Sequence, residues 1–149
     1  TEELFGGKRV VVFALPGAFT PTCSAYQLPG YEAFYDMFRE QGIDEVFCLS
    51  VNDAFVMNAW GKDQGIEKVK LIPDGNGEFT SYMGLLVKKF NLGFASRSWR
   101  YAMVVNDMVI EQIFAEDGIG DNVEEDPYEW STPEKLLEYV KGEEPVIAQ

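Results

Sequence analysis

Apolar and polar positions along this chain fall into runs of two different periods. After Arg9 the run "VVVFAL" is apolar throughout and rich in valine, the pattern of a strand buried on both faces, and "EVFCLSV" (Glu45 to Val51) repeats it. "VKLIPD" is a third, shorter strand, followed by the turn "DGNG" (Asp74 to Gly77). Between the first two strands the period changes. Leu28, Tyr31, Phe34, Tyr35 and Phe38 recur at spacings of three and four, which predicts a helix from Thr22 to about Gln41, ended by Gly42 and kinked at Pro29. Ala54 to Gln64 predicts a second helix with Asp53 as its N-cap, and another is expected near Glu78. Arg100 to Val105 and Met108 to Phe114 are strand-like segments joined by "ND", the shape of a hairpin. "STPEKLLEYV" closes the series as a helix, with Ser131 and Glu134 in capping-box spacing and Pro133 in its first turn.

The order β-α-β-α-β-α-β-β-α implies an α/β sandwich whose central sheet is partly parallel, with an antiparallel hairpin toward one side. At 149 residues the chain suits one domain, expected over 1–141, with 142–149 as a C-terminal tail. Hydrophobic residues make up 46% and aromatics 14%, so a packed core is expected rather than disorder. No apolar run approaches the roughly 20 residues that span a bilayer, and "TEELFGGKRV" lacks the basic start of a signal peptide, which favours a soluble, cytoplasmic protein. The net charge of -13 argues against nucleic acid or an anionic membrane as partner. That charge is unevenly placed. Residues 116 to 149 hold eleven Asp or Glu against two Lys, so chemistry with an anionic substrate is expected in the first part of the chain.

There are two cysteines, Cys23 and Cys48, and no histidine. The missing imidazole excludes Cys/His and Ser/His/Asp nucleophile systems and histidine-ligated metal or haem, and two cysteines are too few for a structural zinc site. Cys48 lies mid-strand, the place of a buried small hydrophobe. Cys23 stands just beyond a strand, in "LPGAFTPTCSAY", where the chain must turn away from the sheet. In the first turn of the following helix it meets unpaired backbone N–H groups and the positive end of the helix, which favour thiolate. Thr20 offers a hydroxyl three residues earlier. For a cation the chain supplies "SRSWRYAMVV", with Arg100 at the mouth of an apolar strand and Arg97 just before it. A lone cysteine is more often inert core than nucleophile, so position alone does not decide its role.

Pro16, Thr20 and Cys23 form the pattern P-x-x-x-T-x-x-C after a buried strand, and "PGAFTPTCS" resembles the peroxiredoxins of the type II, peroxiredoxin-5-like subfamily. "LPGYEAF", "CLSVNDAFVMNAW", "LIPDGNGEF" and "RSWRYAMVV" extend the resemblance in the right order over nearly the whole chain. It implies a thioredoxin-like fold and a thiol peroxidase acting on hydrogen peroxide and organic hydroperoxides without a cofactor or metal. By the same resemblance Cys23 is the peroxidatic cysteine, Thr20 its hydroxyl partner, Pro16 the proline shielding the pocket and Arg100 the arginine before the strand. Arg97 is then a supporting charge or a surface one. Phe19, with its ring expected to be exposed, borders the loop at which family members pair, implying a homodimer. Two features depart from the pattern: Gln27 stands where the family often has histidine, and the strand-rich segment that usually precedes "LFGGK" does not appear before Thr1. Some bacterial members carry a glutaredoxin domain after a linker such as "KGEEPVIAQ".

The sulfenic acid formed on Cys23 must be returned to thiol. In the resemblance, a cysteine at the place of Cys48 occurs in glutathione- or glutaredoxin-dependent members, so an external thiol is the favoured reductant. A Cys23–Cys48 disulfide reduced by thioredoxin is second and requires local unwinding of the helix that carries Cys23. A peroxide sensor relaying oxidation to a partner is the non-enzyme alternative. A thiol-disulfide oxidoreductase is disfavoured, because Thr20 stands where the first cysteine of C-x-x-C would be. Trp60, Trp99 and Trp130 read as packing residues, and "NVEEDPYEW" as a solvated acidic loop.

Overall fold

The computed structural model describes residues 1–142. The expected tail falls outside them except for Gly142. Along the chain, a short helix α1 (Glu2–Phe5) leads into β1 (Arg9–Leu15), a π-helical turn (Cys23–Gln27) and α2 (Leu28–Glu40), followed by β2 (Glu45–Ser50), α3 (Ala54–Asp63), β3 (Lys70–Pro73) and α4 (Glu78–Tyr82). Two three-residue strands, β4 (Leu86–Lys88) and β5 (Ser96–Ser98), make a separate small ribbon. Then come β6 (Tyr101–Asn106), β7 (Val109–Ala115) and α5 (Pro133–Val140). The main sheet has the order β3-β2-β1-β6-β7, with β1, β2 and β3 parallel and the β6–β7 hairpin antiparallel at one side.

The unbroken apolar run of β1 follows from its central place. Val11, Phe13 and Leu15 enter a core with Leu28, Tyr31 and Phe38 of α2 and Leu136 of α5, while Val10, Val12 and Ala14 enter a second core with Phe5, Leu85, Val87 and Trp99. Each residue from Val10 to Leu15 is fully buried, so neither face of the strand tolerates a polar side chain. The helix sandwich expected from the sequence is therefore present, as is the Asp53 cap of α3, whose side chain accepts from the Val56 N–H at 2.8 Å.

Three boundaries differ from the sequence pattern. The expected single helix over Thr22 to Gln41 is divided. Pro29 has no N–H to bond the carbonyl four residues before it, and the Leu28 N–H reaches five residues back to Cys23, widening the turn into a π-helix. α2 then begins with Pro29 in its first turn, where no N–H is required. At α5 the cap is Thr132, which accepts from the Lys135 N–H at 3.3 Å, because the Ser131 hydroxyl donates instead to Glu116 at 2.7 Å. Met108 belongs to the hairpin turn rather than to β7. Asp107 and Met108 both have left-handed backbone (φ 46° and 73°), the turn geometry that matches the twist of paired strands. α1, β4 and β5 were too short to show a period.

Among the described residues no helix is long and apolar enough to cross a membrane.

Candidate active site

The register of the sheet brings the candidate residues together. Ala14 of β1 pairs with Tyr101 of β6, so Arg100, one residue before β6, lies beside the point where β1 ends and the "PGAFTPTC" loop begins. Cys23 opens the π-helical turn behind that loop and is fully buried. The guanidinium of Arg100, in a residue only 2% exposed, places Nη2 at 3.4 Å from the Cys23 Sγ. Its other donors are also taken: Nε donates to Gln27 Oε1 at 2.8 Å, and Nη1 to Asp126 Oδ1 at 2.6 Å and to the Pro127 carbonyl at 2.7 Å. The Tyr128 ring lies 5.7 Å from the guanidinium carbon. Burial works against the Arg100 charge, but Cys23 and Asp126 outweigh it and hold the group above its ordinary value.

The loop itself is braced from three sides. Thr20 Oγ1 donates to the Gly17 carbonyl at 2.7 Å, which leaves its lone pairs available to accept a further bond. The Ala18 N–H donates to Asn52 Oδ1 at 3.0 Å, and Asn52 is held in turn by the Ser50 hydroxyl at 2.6 Å, tying the loop to the end of β2. Arg97 donates through Nη1 to the Pro16 carbonyl at 3.0 Å and through Nε to the Phe94 carbonyl at 3.1 Å. It is a supporting residue, half-buried, and desolvation draws its guanidinium below the ordinary value while Cys23 opposes that shift. Position 17 must be glycine for this contact, since a Cβ there would meet Arg97 Nη1. Phe19 is 53% exposed, as expected, with a left-handed φ of 64°.

Gln27 is fully buried and bridges two elements: its Nε2 donates to the Ala14 carbonyl at 3.3 Å while its Oε1 holds Arg100. Glutamine, standing where the family often has histidine, thus supplies polar contacts of its own. The acidic loop is solvated as expected, with Glu124, Glu125, Asp126 and Glu129 exposed, but it also has a structural task. Asp126, Pro127 and Tyr128 form the wall against Arg100, and the segment behind them is organised by Glu116, which is only 3% exposed. The Glu116 carboxylate accepts from the N–H groups of Glu129, Trp130 and Ser131 at 2.9, 3.0 and 2.9 Å and from the Ser131 hydroxyl. A buried carboxylate that gathers three successive N–H groups fixes a loop that composition alone marks as solvated.

Cys48 lies in β2 between Phe13 of β1 and Leu71 of β3, in the same core cluster as Cys23. Both thiols are free. Burial, aided by Cys23, pushes the Cys48 thiol well above its ordinary range. The three tryptophans are packing residues whose indole N–H groups are satisfied: Trp60 by Ser24, Trp99 by the Glu116 carbonyl and Trp130 by Asp117. A cavity of about 300 Å³ opens beside Pro16, Thr20 and Arg100.

The site thus sets a buried thiol against a locked cation at the end of a central strand. The Redoxin family model matches residues 1–129. "Peroxiredoxin y4vD" of Sinorhizobium fredii is 65% identical over 141 residues, covering 95% of this chain and 75% of that protein. The chain belongs to the peroxiredoxins. Among solved structures, the Plasmodium falciparum antioxidant protein, a 1-Cys peroxiredoxin, superposes with a TM-score of 0.92 at 40% identity, covering 95% of this chain and 83% of that one. Reduced Prx3 from Vibrio vulnificus in complex with hydrogen peroxide gives 0.86 at 40% identity, over 93% and 81% of the two chains. The oxidised form of that Vibrio protein gives 0.77 at 39% identity, over 92% and 82%. Membership makes this chain a thiol peroxidase with the thioredoxin-like peroxiredoxin sandwich, as the motifs implied.

Proposed function

We propose that Cys23 is the peroxidatic thiol and that the contact between its sulfur and Arg100 carries the chemistry. The thiolate attacks one peroxide oxygen, the S–O bond forms as the O–O bond breaks, and the second oxygen leaves as hydroxide or alkoxide, which takes a proton from solvent. Cys23 is left as a sulfenic acid, oxidised by the two electrons that the peroxide gains. Negative charge moves along the S–O–O axis during this step, and a fixed cation beside the sulfur stabilises it without reorganisation. Arg100 is fixed by Gln27, Asp126 and the Pro127 carbonyl before any substrate arrives. Thr20, its hydroxyl already donating to Gly17, accepts from the peroxide O–H, and Pro16 keeps bulk water from the sulfur.

The return to thiol is assigned to an external reductant, glutathione with or without glutaredoxin. The support is the position of Cys48 inside the central sheet, where a disulfide with Cys23 requires both elements to yield. The π-helical turn that holds Cys23 is the segment that opens, having the fewest α-helical hydrogen bonds to lose. The lower match to the oxidised than to the peroxide-bound reduced Vibrio structure agrees with a rearrangement on oxidation.

One experiment tests the reading. Stopped-flow oxidation by hydrogen peroxide is measured for the wild type, Cys23→Ser and Arg100→Ala, with intact mass recorded after one equivalent. Cys23→Ser is expected to be inert, and Arg100→Ala to react at least about 100-fold more slowly, the scale of removing one preorganised charge-stabilising group. Full second-order reactivity in Arg100→Ala rejects its role. Loss of two hydrogen atoms from the wild type but not from Cys48→Ser rejects the external thiol.

A further inference from the structure

Lys89 is 3% exposed, a burial that lysine rarely reaches without a partner. Among the described residues its ammonium takes part in no ion pair, and it lies over the face of Trp99 at 5.5 Å from the ring centroid. Its backbone is clamped. The Lys89 N–H donates to the Ala95 carbonyl at 2.7 Å, and the Lys89 carbonyl accepts from Leu92 and Phe94, both at 3.1 Å. This buried cation lines the cavity beside the Cys23 loop, together with Pro16, Thr20 and Arg100. A second wall, from the acidic segment, carries Glu124, Glu125 and Asp126, the last committed to Arg100. The two walls are joined at their base, since the Asn122 N–H donates to the Lys88 carbonyl at 2.7 Å and Asp121 accepts from the Lys88 N–H at 2.8 Å. The cavity is thus a slot whose lining brings together an ammonium and two glutamates that make no ion pair among the described residues, with the Cys23 loop beside them.

We infer that this slot binds the reducing thiol, with Lys89 anchoring a carboxylate of a small thiol that bears both carboxylate and ammonium groups, while Glu124 and Glu125 face the ammonium. The inference rests on the external-thiol reading above. Anchored there, the thiol is directed toward the Thr20 and Arg100 end of the slot when the π-helical turn opens. Its sulfur attacks the Cys23 sulfenic acid, the S–S bond forms and the S–O bond breaks, and the oxygen leaves as water, keeping its own hydrogen and taking the thiol proton. A second thiol molecule attacks the external sulfur of the mixed disulfide and releases the Cys23 thiolate, so that two thiols are oxidised per peroxide reduced. A cation at this point is needed because the chain as a whole, at -13, repels a thiol of net negative charge.

The test compares glutathione with its diethyl ester, which has the same thiol and no carboxylates. Full-length protein is oxidised with one equivalent of hydrogen peroxide, and the rate of mixed-disulfide formation on Cys23 is read by quenching and intact mass. Wild type is expected to favour glutathione over the ester. In Lys89→Met that preference falls about tenfold, the scale of one charge-assisted hydrogen bond, and Lys89→Arg restores most of it. An unchanged ratio in Lys89→Met, with both thiols still reacting, overturns the anchor and leaves the external-thiol reading standing. No mixed disulfide with either thiol in wild type overturns both. A separate arm measures oxidation by a carboxylate-bearing hydroperoxide and by its methyl ester. If Lys89→Met changes that ratio and not the thiol ratio, the slot belongs to the oxidising substrate and the assignment fails.

Discussion

Gln27 holds the Nε–H of Arg100 with an amide oxygen that does not titrate. Its consequence is a pH-independent grip on the cation. Replacing Gln27 by histidine keeps an acceptor only while the ring is neutral; protonation turns both ring nitrogens into donors and sets a second positive charge against Arg100. Gln27→His is therefore expected to lose peroxide reactivity relative to wild type below about pH 6.5, a step that the amide of the wild type cannot produce. Rate constants measured across that range for the two proteins decide it, and superimposable profiles reject the role given to Gln27. At this scale the residues legible beforehand were those in short contiguous motifs: Pro16, Thr20, Cys23 and Arg100. Gln27 sits in a motif too, but its function depends on the carbonyl of Ala14 and the guanidinium of Arg100, neither of which is a sequence neighbour.

At the scale of elements, the acidic segment after β7 owes its form to Glu116. Three N–H groups and a hydroxyl converge on that one carboxylate, and the same segment delivers Asp126, Pro127 and Tyr128 to Arg100. In Glu116→Gln one carboxylate oxygen becomes an NH₂ facing these donors, and leaving them unsatisfied costs about 1–3 kcal/mol for each group affected. Chemical denaturation is expected to show a loss of about 2–4 kcal/mol, with a slower peroxide reaction in the fraction that remains folded because the wall behind Arg100 loosens. A variant as stable as wild type contradicts this account. The same carboxylate explains one misreading and one omission from sequence. Ser131 looked like the cap of α5 because its spacing to Glu134 is right, but its hydroxyl is engaged by Glu116, and the wall that the solvated "NVEEDPYEW" offers Arg100 was not foreseen because its partners are distant in sequence. The five strands of the main sheet and α3, whose patterns depend on nearby positions, were placed to within about a residue at each end, while β4 and β5 were missed; the division at Pro29 depended on which carbonyl lost its donor.

For the whole molecule, the Cys48 thiol couples stability to pH. The Cys48 thiol is raised well above its ordinary range by burial in the sheet, so the folded chain keeps a proton that the unfolded chain releases. The stability it contributes is complete below the ordinary thiol value and is lost as pH rises toward the raised one. Between about pH 9 and 10 this single group lowers the unfolding free energy by up to about 1.4 kcal/mol per pH unit. Urea denaturation in that range is expected to give a shallower decline for Cys48→Ala than for wild type, and equal slopes show that another group is responsible. Tyr31, also fully buried and raised, adds to the decline at higher pH in both proteins.

The groups that surround the Cys23 sulfur come from the end of β1, the π-helical turn, the residue before β6 and the segment that Glu116 ties to Ser131. Such a site is assembled from contacts distant in sequence, and those are the last to be secured as a chain folds. A ribosome that has made the whole "PGAFTPTCS" motif has therefore made only an ordinary cysteine. On the role proposed for Cys23, its reactivity waits until synthesis has passed Ser131 and the acidic segment can close on Arg100, so a half-made chain carries the thiol without the fixed cation beside it.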